Sequence, residues 1–162
     1  MRKCLSAFLV AMTLAGTALA GPLEDGVAAY DRGEYATALR LLQPLANGGN
    51  RDAQNRLGAM YGTGQGVPQD YAEARKWYRM AADQGNADAQ NNLAVMYVKG
   101  EGVPQDYVEA HKWFNLAVSR YPASEAEKRN TSVRNRDQVA AMMTPQQVAE
   151  AQKLAREWKP TK

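Results

Sequence analysis

Ala53-Gln54-Asn55-Arg56-Leu57-Gly58-Ala59-Met60-Tyr61 returns 36 residues later as Ala89-Gln90-Asn91-Asn92-Leu93-Ala94-Val95-Met96-Tyr97. Gly66-Val67-Pro68-Gln69-Asp70-Tyr71-Ala72-Glu73-Ala74 returns at the same step as Gly102-Val103-Pro104-Gln105-Asp106-Tyr107-Val108-Glu109-Ala110, and Lys76-Trp77 as Lys112-Trp113. A fixed period of this size marks a stacked-repeat chain, in which each unit buries its apolar face only against its neighbours. Such arrays present a long shared surface, so the repeat points to a function of binding.

Working outward, each unit reads as two helices. Ala53, Leu57, Met60 and Tyr61 form an apolar stripe at helical spacing. Gly62, Gly64 and Gly66, followed by Pro68, break that helix. Asp70 with Glu73, and Asp106 with Glu109, give capping-box-like starts for the second helix. Tyr71, Ala74, Trp77, Tyr78, Ala81 and Ala82 line its apolar face, and Gly85-Asn86 ends it through a left-handed residue. These aromatics, with Trp113 and Phe114, are expected to be core between repeats rather than a ligand platform.

Upstream, Tyr35, Ala38, Ala46, Gly49, Asn50 and Asp52 stand 36 residues before Tyr71, Ala74, Ala82, Gly85, Asn86 and Asp88. This is a degenerate, shortened copy suited to a terminal cap, with Pro44 expected to interrupt its second helix. Downstream, Pro122 breaks the pattern, and Ala123 to about Ala141 reads as a polar, solvated helix. Thr144-Pro145-Gln146-Gln147 then opens a last helix ending at Trp158. Its Val148, Leu154, Ala155 and Trp158 are spaced to cover the end of the stack. The fold class is all-α, a solenoid of paired antiparallel helices.

At the N-terminus, Arg2 and Lys3 precede an apolar run, and Ala18-Leu19-Ala20 supplies a small-x-small cleavage signal. Residues 1–20 therefore read as a signal peptide cleaved before Gly21, with export to a periplasm as the expected destination. The only cysteine, Cys4, leaves with it, so no disulfide or thiol chemistry is expected in the mature chain. The leader carries two of the 20 basic residues and none of the 17 acidic ones, leaving a mature net charge of +1. So small a charge argues against nucleic acid or an anionic membrane as partner.

These residues resemble Sel1-like repeats, relatives of the tetratricopeptide repeat. The family pattern is Ala-x-x-x-Leu-Gly-x-x-Tyr, a Gly-x-Gly-Val-x-x-Asp-Tyr turn, then Ala-x-x-Trp-Tyr-x-x-Ala-Ala ending in Gly. Residues 53–88 match it at almost every position and 89–121 nearly as well. Residues 21–52 look more like a plain tetratricopeptide unit, through Tyr30, Gly33, Tyr35 and Ala38, and 122–162 is similar to the tail of short exported bacterial relatives. The resemblance implies a right-handed superhelix with first helices lining its concave side. It further implies an adaptor or scaffold in a bacterial cell envelope that holds a protein or peptide. Some cysteine-rich relatives are linked to penicillin binding and β-lactam hydrolysis, but this chain lacks their cysteines.

No residue pattern supports catalysis. The glycine turn has neither the preceding strand nor the Lys-Ser/Thr of a phosphate loop. Ser119, Ser124 and Ser132 sit in no nucleophile motif. His111, the only histidine, matches Arg75 one repeat earlier, so its register predicts a solvent-facing side chain and no metal role. Lys128, Arg129, Arg134 and Arg136 are interleaved with Glu125, Glu127 and Asp137, with no aromatics for base stacking.

What remains is Asn55, Arg56, Asn91 and Asn92, on the helices that the resemblance turns toward the groove. Asparagine amides pair with a peptide backbone, and arginine holds a carboxylate bidentately. The expected function is non-catalytic binding of a protein or peptide partner by these four residues, with no cofactor and no metal. Two other readings are a peptidoglycan- or β-lactam-directed hydrolase or binder, and a structural subunit that self-associates through its solenoid ends.

Overall fold

The computed structural model describes residues 21–161; the expected leader, residues 1–20, and Lys162 lie outside the described residues. Among the described residues eight α-helices follow one another: α1 (Pro22–Asp31), α2 (Tyr35–Asn47), α3 (Arg51–Thr63), α4 (Tyr71–Asp83), α5 (Ala87–Lys99), α6 (Tyr107–Arg120), α7 (Ala126–Ala140) and α8 (Pro145–Glu157). A 3₁₀ turn, Ala123–Glu125, leads into α7. The described residues contain no strand. Helices pair as α1 with α2, α3 with α4, and α5 with α6, and each pair stacks on the next.

The starts of the repeat helices are fixed by polar caps at the repeat step. Asn50 accepts from the backbone N–H groups of Asp52 and Ala53 at 3.0 and 2.9 Å, and Asn86 accepts from Ala89 at 2.8 Å. Asp70 accepts from Ala72 and Glu73, and Asp106 from Val108 and Glu109, all at 2.9–3.0 Å. Each such cap is worth about 1 kcal/mol. The reciprocal half of a capping box is absent at both aspartates, because their own N–H groups are taken by the Tyr61 and Tyr97 carbonyls. Glu73 and Glu109 turn instead to Lys76 and Lys112. Thr144 and Gln147 form the complete box at the start of α8.

Two apolar clusters run through the stack, and α4 is the wall between them. Trp77 closes the cluster of Ala29, Ala38, Leu42, Ala46, Leu57 and Met60. Its neighbour Tyr78 belongs to the other cluster, with Leu93, Met96, Tyr97, Trp113 and Phe114. Trp77, Tyr78, Trp113 and Phe114 are all buried, as their helical spacing predicts, while Tyr71 is half-buried.

Three expectations are corrected. Helix α2 runs through Pro44 to Asn47. A proline in the last turn forfeits one intrahelical bond, and the Pro44 carbonyl still accepts from Gly48 at 3.0 Å. Helix α8 does not close the end of the stack alone: α7 also packs on α6 and reaches Asp88 and Asn91 of α5, while α8 lies on α6 with Ala151 and Ala155 inward. Trp158 meets Trp113 edge-on at 6.3 Å, and the Thr161 N–H donates to the Asp83 carbonyl of α4 at 2.8 Å. The third correction is His111, which is buried beneath α7 instead of facing solvent.

A buried glutamine recurs at the repeat step with unequal partners. Gln54 donates to the Ala46 carbonyl at 3.1 Å and accepts from Gln84 at 2.8 Å. Gln90 donates to the Ala82 carbonyl at 3.0 Å, but its own side-chain oxygen has no partner. The residue matching Gln84 is Arg120, whose guanidinium lies 4.3 Å over the Trp158 ring. Gln54→Leu is therefore expected to cost about 1–3 kcal/mol, since it strands a buried carbonyl and breaks two bonds. Gln90→Leu strands one carbonyl but also removes an unpaired acceptor, so its loss in urea unfolding should be smaller. Equal losses would contradict this difference.

Candidate functional site

The first helices of successive pairs turn one face toward a common groove. Its largest depression, about 570 Å³, is lined by Val27 of α1, Asp52, Asn55, Arg56 and Ala59 of α3, Asn86, Asp88 and Asn92 at α5, and Glu125 and Lys128 at α7. Asn92 also borders a second depression of about 210 Å³ beside Gly62, Thr63 and Val95. Val95 and Lys99 pass from there into a third, of about 170 Å³, walled by Val98, Phe114, Val139 and Met142. The face is polar at one end and apolar at the other.

Three of the four residues expected to bind are brought together. The Asn92 side-chain NH₂ donates to the Asn55 carbonyl oxygen at 3.3 Å. That bond leaves the Asn55 NH₂ and the Asn92 carbonyl facing the groove as a donor–acceptor couple, the complement of a peptide unit. Arg56 stacks over the Tyr30 ring at 5.1 Å and reaches Asp31 only at 4.0 Å, so its fork of donors is largely uncommitted. Asn91 stands apart. Its carbonyl oxygen accepts from Ser132 of α7 at 2.8 Å, and it borders a separate depression with Tyr121 and Thr131.

The charges at the polar end are mostly neutralised within the fold. Lys128 reaches Asp88 at 3.0 Å and Glu125 at 3.4 Å. Burial alone would lower the Lys128 ammonium, but the hydrogen bonds and charges of Asp88 and Glu125 together outweigh it and raise it. Asp88 also accepts from the Tyr121 hydroxyl at 2.9 Å, and burial together with that carboxylate pushes the phenol up. Asp52 accepts from Asn86 at 2.8 Å. No group of three or more His, Cys, Asp or Glu among the described residues could hold a metal ion. No described helix is long and apolar enough to cross a membrane.

A family model described as the Sel1 repeat matches residues 51–86 and 87–120. Residues 51–120 are therefore two Sel1 repeats. Their first helices line the groove. Among solved structures, the chain is similar to c5321, a protective antigen present in uropathogenic Escherichia coli strains and displaying an SLR fold. The two share 30% identity and a TM-score of 0.73, covering 82% of this chain and 28% of that one. It is also similar to a Sel1 repeat protein from Oxalobacter formigenes, at 27% identity and a TM-score of 0.61, covering 85% of this chain and 61% of that one. The chain thus spans less than two thirds of either structure. No curated protein sequence matches it. The architecture is an all-α solenoid of Sel1 repeats.

Several groove residues carry little signal in the sequence. Asp52 and Asp88 stand one repeat apart, and that spacing was the available signal. Lys128, Glu125, Val139 and Met142 enter from the C-terminal extension, which follows no repeat register and so offers none.

Proposed function

We propose that this is an exported, non-catalytic scaffold of the bacterial cell envelope that holds a protein or peptide segment in its concave groove. The observation that carries the reading is the Asn55–Asn92 couple beside an uncommitted Arg56, at the mouth of a groove running on to an apolar end. An extended segment would hydrogen-bond its backbone to the amide couple and place an apolar side chain between Val95, Val98 and Met142. The rigid, preformed surface lowers the ordering cost of binding. End-to-end self-association finds less support, because α7 turns Glu127, Arg129, Asn130, Arg134 and Gln138 outward, a solvated face.

The test is a cross-linked pull-down from the periplasmic fraction, comparing the protein with the quadruple variant Asn55→Ala, Arg56→Ala, Asn91→Ala, Asn92→Ala. A partner captured by the former and lost at least tenfold by the latter is the expected result. Equal capture by both would move the interface away from the groove.

A further inference from the structure

The end of the groove is closed by α7, which lies along α6 but brings little fully buried apolar surface to it. Helix α7 fully buries only Ser132 and Val139 of its 15 residues. Its remaining hold on the groove helices is polar: Ser132 to Asn91 at 2.8 Å and Lys128 to Asp88 at 3.0 Å. Helix α8 packs on α6 and is pinned by Trp158 and Thr161, so α7 is tethered at both ends without depending on α8 for its docking. An element with so few buried apolar contacts belongs to the low-stability end of a structure.

Beneath α7 lies His111 of α6, 3% exposed, with its Nδ1 buried and without a hydrogen-bond partner. In the matching place of the preceding repeat stands Arg75, which is exposed. The charged groups acting on the imidazole are Arg136, which opposes a proton, and Asp137, which favours one; both are on α7. Those two also pair with each other at 2.8 Å, so the carboxylate is shared with the guanidinium. On α6, the adjacent Lys112 is tied to Glu109 at 3.0 Å. The site thus has a buried base, no acceptor for a second N–H, and a cation overhead.

We propose that α7 is an acid-operated latch on the groove, docked while His111 is neutral and released when that imidazole takes a proton. The proposal rests on reading the concave face as the binding site, and it adds the regulation of that site. Release breaks the contacts to Asn91 and Asp88, frees the Asp88 carboxylate already lining the groove from Lys128, and opens the wall that Val139 forms against Phe114. The sign follows from the burial, which with Arg136 lowers the proton affinity of docked His111. An imidazole freed to water titrates near 6.5. The docked form is favoured fully above that value and loses ground as the pH falls below it.

Amide hydrogen exchange on the mature protein, with no partner present and with intrinsic rates corrected for pH, reads the opening of α7 directly. Protection of the α7 amides should fall about tenfold between pH 7.5 and 5.5, the factor for one imidazole titrating only in the open state. Protection in α3 and α4 should stay level. His111→Gln, which cannot titrate, should abolish the pH dependence. Should that variant misfold, Arg136→Gln supplies a second test, because removing the opposing charge lets docked His111 take the proton and shrinks the drop. A level α7 profile in the unmodified protein, an unchanged drop in His111→Gln, or a drop spread over all helices would each overturn the latch. None of these readouts involves a partner, so the latch and the groove fail separately.

Discussion

Trp113→Ala is expected to lower the unfolding free energy by about 3–5 kcal/mol, the range for emptying a fully buried large aromatic site. Trp113 is 0% exposed and sits where the second repeat meets the C-terminal extension. Its ring meets Trp158 edge-on at 6.3 Å, and Lys112 and Arg79 lie 4.7 and 5.2 Å above it. Its Nε1 donates to Glu109 at 2.9 Å. Truncation therefore opens a cavity, unseats α8 and leaves a part-buried carboxylate without that donor. Its counterpart Trp77 is 6% exposed and its Nε1 has no partner, so Trp77→Ala forfeits packing without breaking a hydrogen bond. Urea unfolding of the two variants should rank Trp113→Ala as the costlier. A loss under about 1.5 kcal/mol for Trp113→Ala would contradict the packing described here.

Gly102→Ala should be nearly as damaging, for a different reason. Gly102 has φ +67°, and a Cβ there would run into the backbone carbonyl of Tyr71 in the preceding repeat. The left-handed conformation alone costs a non-glycine residue about 1–2 kcal/mol, and a backbone carbonyl cannot swing aside as a side chain can. A total of about 2–4 kcal/mol is expected. Gly33 separates the two contributions, since its φ is +77° with nothing within 4 Å of a built Cβ. Gly33→Ala should lose only the conformational part, about 1–2 kcal/mol. Thermal unfolding of both variants checks the difference, and equal losses would mean that repeats do not approach each other through these turns.

The glycine and the tryptophan also mark how far the fold can be read without coordinates. Gly102, Trp113 and the caps Asn86 and Asp106 all stand 36 residues after equivalents, because a stack of like units imposes the same contact at every step. That register locates α3 to α6 and the aromatic core. It fails where the periodicity stops. His111 matches an exposed arginine by register, yet it is buried because α7, which belongs to no repeat, lies over it. Helix α8 has the apolar spacing of a terminal cover, but spacing does not say which helix it covers. Pro44 shows a local rule overridden, since one lost bond in a last turn is outweighed by packing of Leu42 and Ala46.

The groove was legible in part for the same reason. Asn55, Arg56 and Asn92 lie on helices whose orientation the repeat dictates, and they meet in one depression. Asn91 is drawn off by Ser132, a residue of the extension that no period could have placed. The Lys128 and Glu125 contributions are hidden for that reason as well.

The central claim, that the concave face is the binding face, is tested most directly by photo-cross-linking in the periplasm. A photoreactive residue would be placed at Ala59 or Val95 on the groove and, in parallel, at Arg75 or Met80 on the outer helix α4. The account predicts one discrete adduct of the same mass from both groove positions and none from the α4 positions. An adduct formed from α4 with none from Ala59 or Val95 would contradict it.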